Sequence, residues 1–213
     1  MSDEVTLDQD AELLRRGQTL SAQAGGAPQL PGYELPHALG EGSFGAVWGG
    51  TQLRTGQPVA VKVLLRTGGL NLGFFAAELD RLIQVAEHPH IVSVLDADLS
   101  HRPPFFVMSW VKGGSLAKRG KCSLPEALRW LEQLAEALCF THDKGLIHCD
   151  LKPSNLLLDE SENLRVADFG QSRSLRLEEG ALGTIGFMAP EQSRLGTEER
   201  GATPNVRWDV YAA

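Results

Sequence analysis

Two short stretches of the chain set ionisable and amide groups at fixed intervals. His148-Cys149-Asp150-Leu151-Lys152-Pro153-Ser154-Asn155 supplies a carboxylate, then an ammonium, then a carboxamide; Asp168-Phe169-Gly170 adds a second carboxylate after an apolar run. Phosphoryl transfer uses such a set: a carboxylate to take the nucleophile's proton, a cation for the moving phosphoryl group, and oxygen ligands for Mg2+. A polar surface loop explains either stretch alone but not the two at this separation.

The surrounding sequence shows what could position them. Gly40, Gly42 and Gly45 punctuate two expected strands, 33–39 and 46–52, and a turn at 54–57 leads to a third at 59–64. Leu72, Phe75, Leu79, Leu82, Ile83 and Ala86 recur at helical intervals and predict a helix ending near His88-Pro89. Two more strands are expected at 91–95 and 105–110. Ser123-Leu124-Pro125-Glu126 fits a capping box opening a helix, with Leu124, Leu128, Leu131, Ala135 and Leu138 as its apolar stripe and Gly145 as its C-cap. Strands at 156–158 and 164–167, joined by a turn at 159–163, would bring Asn155 and Asp168 to neighbouring ends of a hairpin. No internal repeat is visible.

Composition narrows the class. The chain has 213 residues, 42% hydrophobic and 22% charged, an ordinary globular mixture with room for one domain and a tail. A formal net charge of −7 argues against a nucleic-acid partner. Cys122, Cys139 and Cys149 are too scattered for a disulfide framework or zinc site, which points to a reducing, cytoplasmic setting. No apolar run is long enough to span a membrane, and Met1-Ser2-Asp3-Glu4 lacks the basic start of a signal peptide. Residues 1–32 read as a flexible tail or linker, with Leu7, Leu13 and Leu14 able to form a short helix before Gly25, Gly26 and Pro28 interrupt it.

The two stretches together resemble the catalytic loop and metal-binding motif of eukaryotic-type serine/threonine protein kinases, and the likeness runs over about residues 33–211. Gly40-Glu41-Gly42-Ser43-Phe44-Gly45-Ala46-Val47 fits G-x-G-x-x-G-x-V, and the strand expected after it disfavours a dinucleotide-binding fingerprint. Its glycines would let the backbone approach phosphate oxygens. The resemblance implies an α+β, two-lobed fold. A small lobe at about 33–108 carries an antiparallel sheet plus one helix, a hinge follows at 109–112, and an incomplete helical large lobe occupies 113–213. ATP with Mg2+ would lie between the lobes.

The same resemblance implies individual roles. Leu39, Gly40, Gly42, Ser43, Phe44 and Gly45 would cover the nucleotide. Val47, Ala60 and Leu157 would wall the adenine, Met108 would be the gatekeeper, and backbone groups from Ser109 to Val111 would bind the base. For Val47 and Leu157 plain core packing is an equal explanation. Lys62, a lone lysine in an apolar strand, needs an anion if buried and water if at an edge; here it would hold the α- and β-phosphates, oriented by Glu78 rather than Glu87. Asp150 would be the general base, Lys152 would neutralise the γ-phosphoryl charge, and Asn155 and Asp168 would hold Mg2+. Gly183-Thr184-Ile185-Gly186-Phe187-Met188-Ala189-Pro190-Glu191 resembles the segment facing a peptide substrate, with Thr184 bridging Asp150 and Lys152. The acceptor would be a serine or threonine of a protein. Two rivals stand beside this: an inactive pseudokinase or nucleotide-binding scaffold, and a small-molecule kinase, which would lack the 183–191 segment.

Two features depart from the family pattern. Cys149 stands where most members carry an arginine that meets an activation-loop phosphate, so phosphorylation there is expected to be unnecessary. Trp208-Asp209-Val210-Tyr211 resembles the start of a central large-lobe helix, with Asp209 bracing the backbone near His148, yet only two residues follow. The chain therefore reads as a truncated kinase, with the stripe from Leu124 to Leu138 short of a packing partner. Five such side chains left exposed forfeit roughly 8–15 kcal/mol, comparable to a domain's whole stability, so poor folding in isolation is expected. A longer protein could carry this chain as the cytoplasmic part of a membrane-anchored whole.

Overall fold

The computed structural model describes residues 27–42, 45–64, 69–169, 173–174, 184–192 and 204–213. Most of the expected tail, together with Ser43, Phe44, Gly170, Ser172 and Gly183, lies outside them. The described residues divide into two compact units. One comprises those up to Gly73 with Leu95–Trp110; the other comprises Phe74–Val94 with those from Val111 onward.

The first unit is built on a five-stranded sheet in the order β1-β2-β3-β5-β4, from β1 (Tyr33–Gly42), β2 (Gly45–Gln52), β3 (Pro58–Val63), β4 (Val94–Asp98) and β5 (Phe105–Ser109). Side chains alternate across a strand, and directly opposed residues share a face. Register therefore sorts this sheet into two surfaces. Ala46, Trp48, Val59, Val61, Val63, Phe105 and Val107 pack with Leu30 and Leu35 into a buried core. The opposite face carries Val47 paired with Lys62, Gly49 with Ala60, and Ala60 and Lys62 in turn with Met108 and Phe106. Gly50 has no room for a side chain: a Cβ there would run into the Glu34 carbonyl of β1.

One expected strand moved. Residues 91–95 do not form a continuous strand: Ile91 makes an isolated bridge to Val166, and β4 begins only at Val94. The reason is hydrogen bonding. Val166 donates its N–H to the His90 carbonyl and accepts from Val92 N–H, which ties 90–92 to a different partner.

In the second unit the helix α1 (Gly69–Val85), which begins in the first, is followed by α2 (Leu116–Arg119) and the 20-residue α3 (Leu124–Asp143). The capping box forms as expected. The Ser123 hydroxyl accepts from Glu126 N–H, and the Glu126 carboxylate accepts from the Ser123 amide and hydroxyl at 2.8 and 2.6 Å. The C-cap is Lys144 rather than the expected Gly145, which follows one residue later in the left-handed region and closes the helix as its type allows.

The apolar side of α3 differs from the expected stripe. Trp130, Leu134, Ala137, Leu138 and Thr141 are buried, whereas Leu124, Leu128 and Leu131 are 71, 56 and 49% exposed. The helix carries two apolar stripes that converge at Leu138. Only one meets the hairpin of β7 (Leu156–Leu158) and β8 (Leu164–Val166): Trp130 Nε1 donates to the Glu162 carbonyl, and Gln133 bonds Asn163 and the Leu164 amide. Leu124, Leu128 and Leu131 form the other stripe, which is exposed among the described residues. Two-residue strands β6 (Leu146–Ile147) and β9 (Arg173–Ser174) pair antiparallel, and α4 (Arg207–Ala212) ends the chain.

Two outcomes follow. Gly50→Ala forces β1 and β2 apart and lowers stability by about 1–3 kcal/mol, read as a lower denaturant midpoint. At the start of α3, the Ser123 hydroxyl and then its amide, with Arg119 adding, hold the Glu126 carboxyl down to about 2 from its ordinary 4.5. A depressed folded-state value means this contribution is complete above pH 4.5 and lost as pH falls toward 2. Glu126→Gln should therefore flatten the acid limb of midpoint against pH over that window; an unchanged limb would exclude Glu126 as its source.

Candidate active site

The second unit assembles most of the proposed chemistry around one buried carboxylate. Asp150, 3% exposed, sits between β6 and a single 3-10 turn at Pro153–Asn155. One oxygen lies 3.0 Å from Lys152 Nζ; the other accepts from the Thr184 amide and hydroxyl at 2.8 and 2.7 Å. Lys152 Nζ in turn donates to Thr184 Oγ1 at 2.8 Å. The three side chains form a closed triangle in which the hydroxyl donates to the carboxylate and accepts from the ammonium.

Asn155 lies alongside. Its Nδ2 donates to the Asp150 carbonyl at 2.9 Å and to the Asp150 carboxylate at 3.3 Å. Both contacts use the amide nitrogen, so the amide oxygen points the other way. The Ala167 amide donates to the Asn155 carbonyl at 2.9 Å and so places Asp168, the next residue, at the same end of the β7–β8 hairpin. Asp168 is exposed and adopts a left-handed φ of 62°. Mg2+ takes oxygen ligands and is commonly held by one or two carboxylates plus substrate phosphates. An amide oxygen and an exposed carboxylate fit that donor set, and no cluster of three or more His, Cys, Asp or Glu suited to another metal occurs among the described residues.

The backbone before Asp150 is braced from below. Asp209, 1% exposed on α4, accepts from the amides of His148 and Cys149 at 2.8 and 2.9 Å and contacts His142 Nε2 at 2.8 Å. His148 completes the link. Its Nδ1 accepts from the Asp150 amide, so its Nε2 is the donor to the Ala167 carbonyl, and its ring lies 4.8 Å from Phe169. Cys149 adopts φ 67°, a conformation that costs an L-residue about 1–2 kcal/mol. Its side chain packs with Ile147, Ala189 and Trp208 in a small apolar cluster.

Four of the first-unit residues expected to meet a nucleotide share one sheet face. Val47, Ala60, Lys62 and Met108 are brought together by register, and Lys62, 7% exposed, lies 6.0 Å from the Phe106 ring centroid. Leu39, Gly40, Gly42 and Gly45 occupy the β1–β2 turn region, and Ser109 ends β5. Trp110 reaches the same face: a Cβ on Gly49 would stand 2.9 Å from its Cζ2, so the missing side chain makes its place. In the second unit Glu78 is buried on α1, Leu157 lies on β7, and Val111 is half-buried.

A protein-family profile described as "Protein kinase domain" matches residues 33–213. The chain belongs to the protein kinase domain family. This kinase domain is 37% identical over 172 residues to CBL-interacting protein kinase 11 of Oryza sativa subsp. japonica, covering 75% of the chain and 34% of that relative. To CBL-interacting serine/threonine-protein kinase 20 of Arabidopsis thaliana it is 36% identical over 171 residues, with 75 and 39% covered. The chain thus spans little more than a third of the length of these curated relatives.

Sequence reasoning missed His142 and Gln192 in the kinase domain. His142 had only a place in the last turn of an amphipathic helix to mark it, and Gln192 follows Glu191 with no motif of its own. Asp209→Asn would leave one acceptor oxygen and set an NH2 group against a buried amide. It should cost about 1–3 kcal/mol and lower the denaturant midpoint; an unchanged midpoint would mean the carboxylate is dispensable.

Proposed function

We propose that this kinase domain transfers the γ-phosphoryl group of Mg2+-ATP to a serine or threonine hydroxyl of a protein. The triangle of Asp150, Lys152 and Thr184 carries the reading. It presents a buried carboxylate to an incoming hydroxyl, beside a cation suited to the charge of a transferred phosphoryl group. A structural ion pair would need neither the bridging hydroxyl nor the amide of Asn155 drawn to the same oxygen. The relative from Arabidopsis thaliana is likewise named a serine/threonine-protein kinase.

In this proposal Asp150 orients the acceptor hydroxyl and takes its proton, while Lys152 offsets charge on the phosphoryl oxygens. Asn155 and Asp168 would hold Mg2+, which when bound neutralises the phosphates. Lys62 serves the α- and β-phosphates with Glu78 as its counter-charge, and Val47, Ala60, Met108 and Leu157 contact the base, with the backbone from Ser109 to Val111. Leu39, Gly40, Gly42, Ser43, Phe44 and Gly45 cover the phosphates. No described helix is long and apolar enough to cross a membrane, and the scattered cysteines support a cytoplasmic setting.

The position before the base favours activity without loop phosphorylation. A thiol buried in an apolar cluster cannot make the charge-assisted bonds with which a guanidinium would hold a phosphate.

Transfer of radiolabelled phosphate from ATP to a serine-rich protein acceptor tests the main reading. Asp150→Asn and Asp168→Ala should each slow transfer about a hundredfold or more; nucleotide binding with no transfer by the parent would favour a scaffold instead. Replacing Ser172 and Ser174 together by alanine should leave the rate within about threefold, and a hundredfold loss would show that the loop must be phosphorylated.

A further inference from the structure

The backbone of Cys149 is gripped at both its N–H and its carbonyl by buried side chains, neither of which has a part in the reaction as set out above. Asp209 takes the Cys149 N–H. The Cys149 carbonyl accepts a 2.8 Å hydrogen bond from Nε2 of Gln192, which is 2% exposed. The other end of that carboxamide accepts from the Ala189 amide at 3.4 Å, which fixes its orientation, since the flipped amide would set oxygen against oxygen.

We propose that Gln192 is a positioning residue for the phosphoryl transfer: its carboxamide holds Cys149 in the left-handed conformation and thereby aims the Asp150 carboxylate. The proposal rests on the kinase reading given above. Cys149 has φ 67°, a region that side-chain-bearing residues leave unless something holds them. The Cys149 carbonyl belongs to the peptide plane that leads into Asp150, so its direction sets where the Asp150 Cα–Cβ bond points. Thr184 meets the Asp150 carboxylate from the same stretch, 184–192, that supplies Gln192. One stretch thus controls the base twice, at its oxygens and at its backbone. Both ties are hydrogen bonds from neutral groups, so neither requires a phosphate.

The alternative is that Gln192 only satisfies a buried carbonyl. Steady-state kinetics on the full chain separate the two. Gln192→Leu, and the near-isosteric Gln192→Glu, which places a carboxylate against the Cys149 carbonyl, should lower kcat tenfold or more with KM for ATP within threefold. Adding Cys149→Gly should restore at least a third of the parent kcat in the Gln192→Leu background, because glycine adopts the left-handed conformation without an anchor. An unchanged kcat in the single variants, or no recovery with Cys149→Gly, would overturn the proposal.

A readout without catalysis uses the Cys149 thiol, which is buried while Cys122 and Cys139 are exposed. With those two replaced by serine, Gln192→Leu should raise the rate of Cys149 labelling by an aromatic disulfide at least tenfold. Equal rates would remove the anchor even in an active kinase. A parent that labels as expected but transfers no phosphate would sink the kinase reading alone.

Discussion

A carboxylate with almost no exposure to water sets the geometry of the loop that carries Asp150. Asp209 receives the consecutive amides of His148 and Cys149, together with His142 Nε2. Two successive N–H groups meet the two oxygens of one carboxylate, which pins the peptides on either side of His148, and the chain turns directly after them, at Cys149, in the left-handed conformation. Burying the charge is costly, but hydrogen bonds to an ionised group return roughly 1.5–3 kcal/mol each. The strain at Cys149 is smaller than that return. A turn unfavourable by itself is therefore stable in this setting, and Asp150 is the residue it delivers.

From that turn the constraint passes through the backbone rather than through long side chains. His148 joins the Asp150 amide to the Ala167 carbonyl, and Ala167 joins back to Asn155. Three residues distant in sequence, Asp150, Asn155 and Asp168, are thus held by bonds that start and end on peptide groups. The sheet of the first unit reaches a similar result by a different rule. Its period of two, with the register of β2, β3 and β5, aligns Val47, Ala60, Lys62 and Met108 without any bond among their side chains.

The two kinds of order differed in how readable they were. Strands and the helix cap were legible because their signals are local: alternation, Gly-bounded turns, and Ser123 three residues before Glu126. The residues around Asp150 were legible because their types are dictated by chemistry. The segment 90–92 was not, since its apolar β-branched residues suit a strand but its amides pair with Val166, a partner far along the chain. The apolar side of α3 was only partly legible because two apolar faces overlap on one helix, and periodicity did not single out the face of Trp130, Leu134 and Ala137 that meets the hairpin. Gln192 was invisible for a related reason. An amide side chain has no distinctive spacing, and its value comes from a carbonyl that tertiary structure alone puts beside it.

The contacts around Asp150 also differ from those at the start of α3 in how they answer to solution conditions. Arg119, about one-third exposed, contacts Glu126 at 3.2 Å and Glu162 at 2.6 Å and lies over the Trp130 ring. Ion pairs of this kind are screened by salt, and the contribution of Glu126 is lost only as pH falls from 4.5 toward 2. Around Cys149 the ties are a buried carboxylate on two amides, a carboxamide on a carbonyl, and a thiol among apolar groups. Mobile ions do not reach such groups. With a cysteine at position 149 rather than the arginine of the family pattern, that residue offers no charge through which the loop's geometry could be linked to an external one. What remains is set by the chain's own packing, so the orientation of Asp150 depends on whether Asp209, Gln192 and Thr184 are in place.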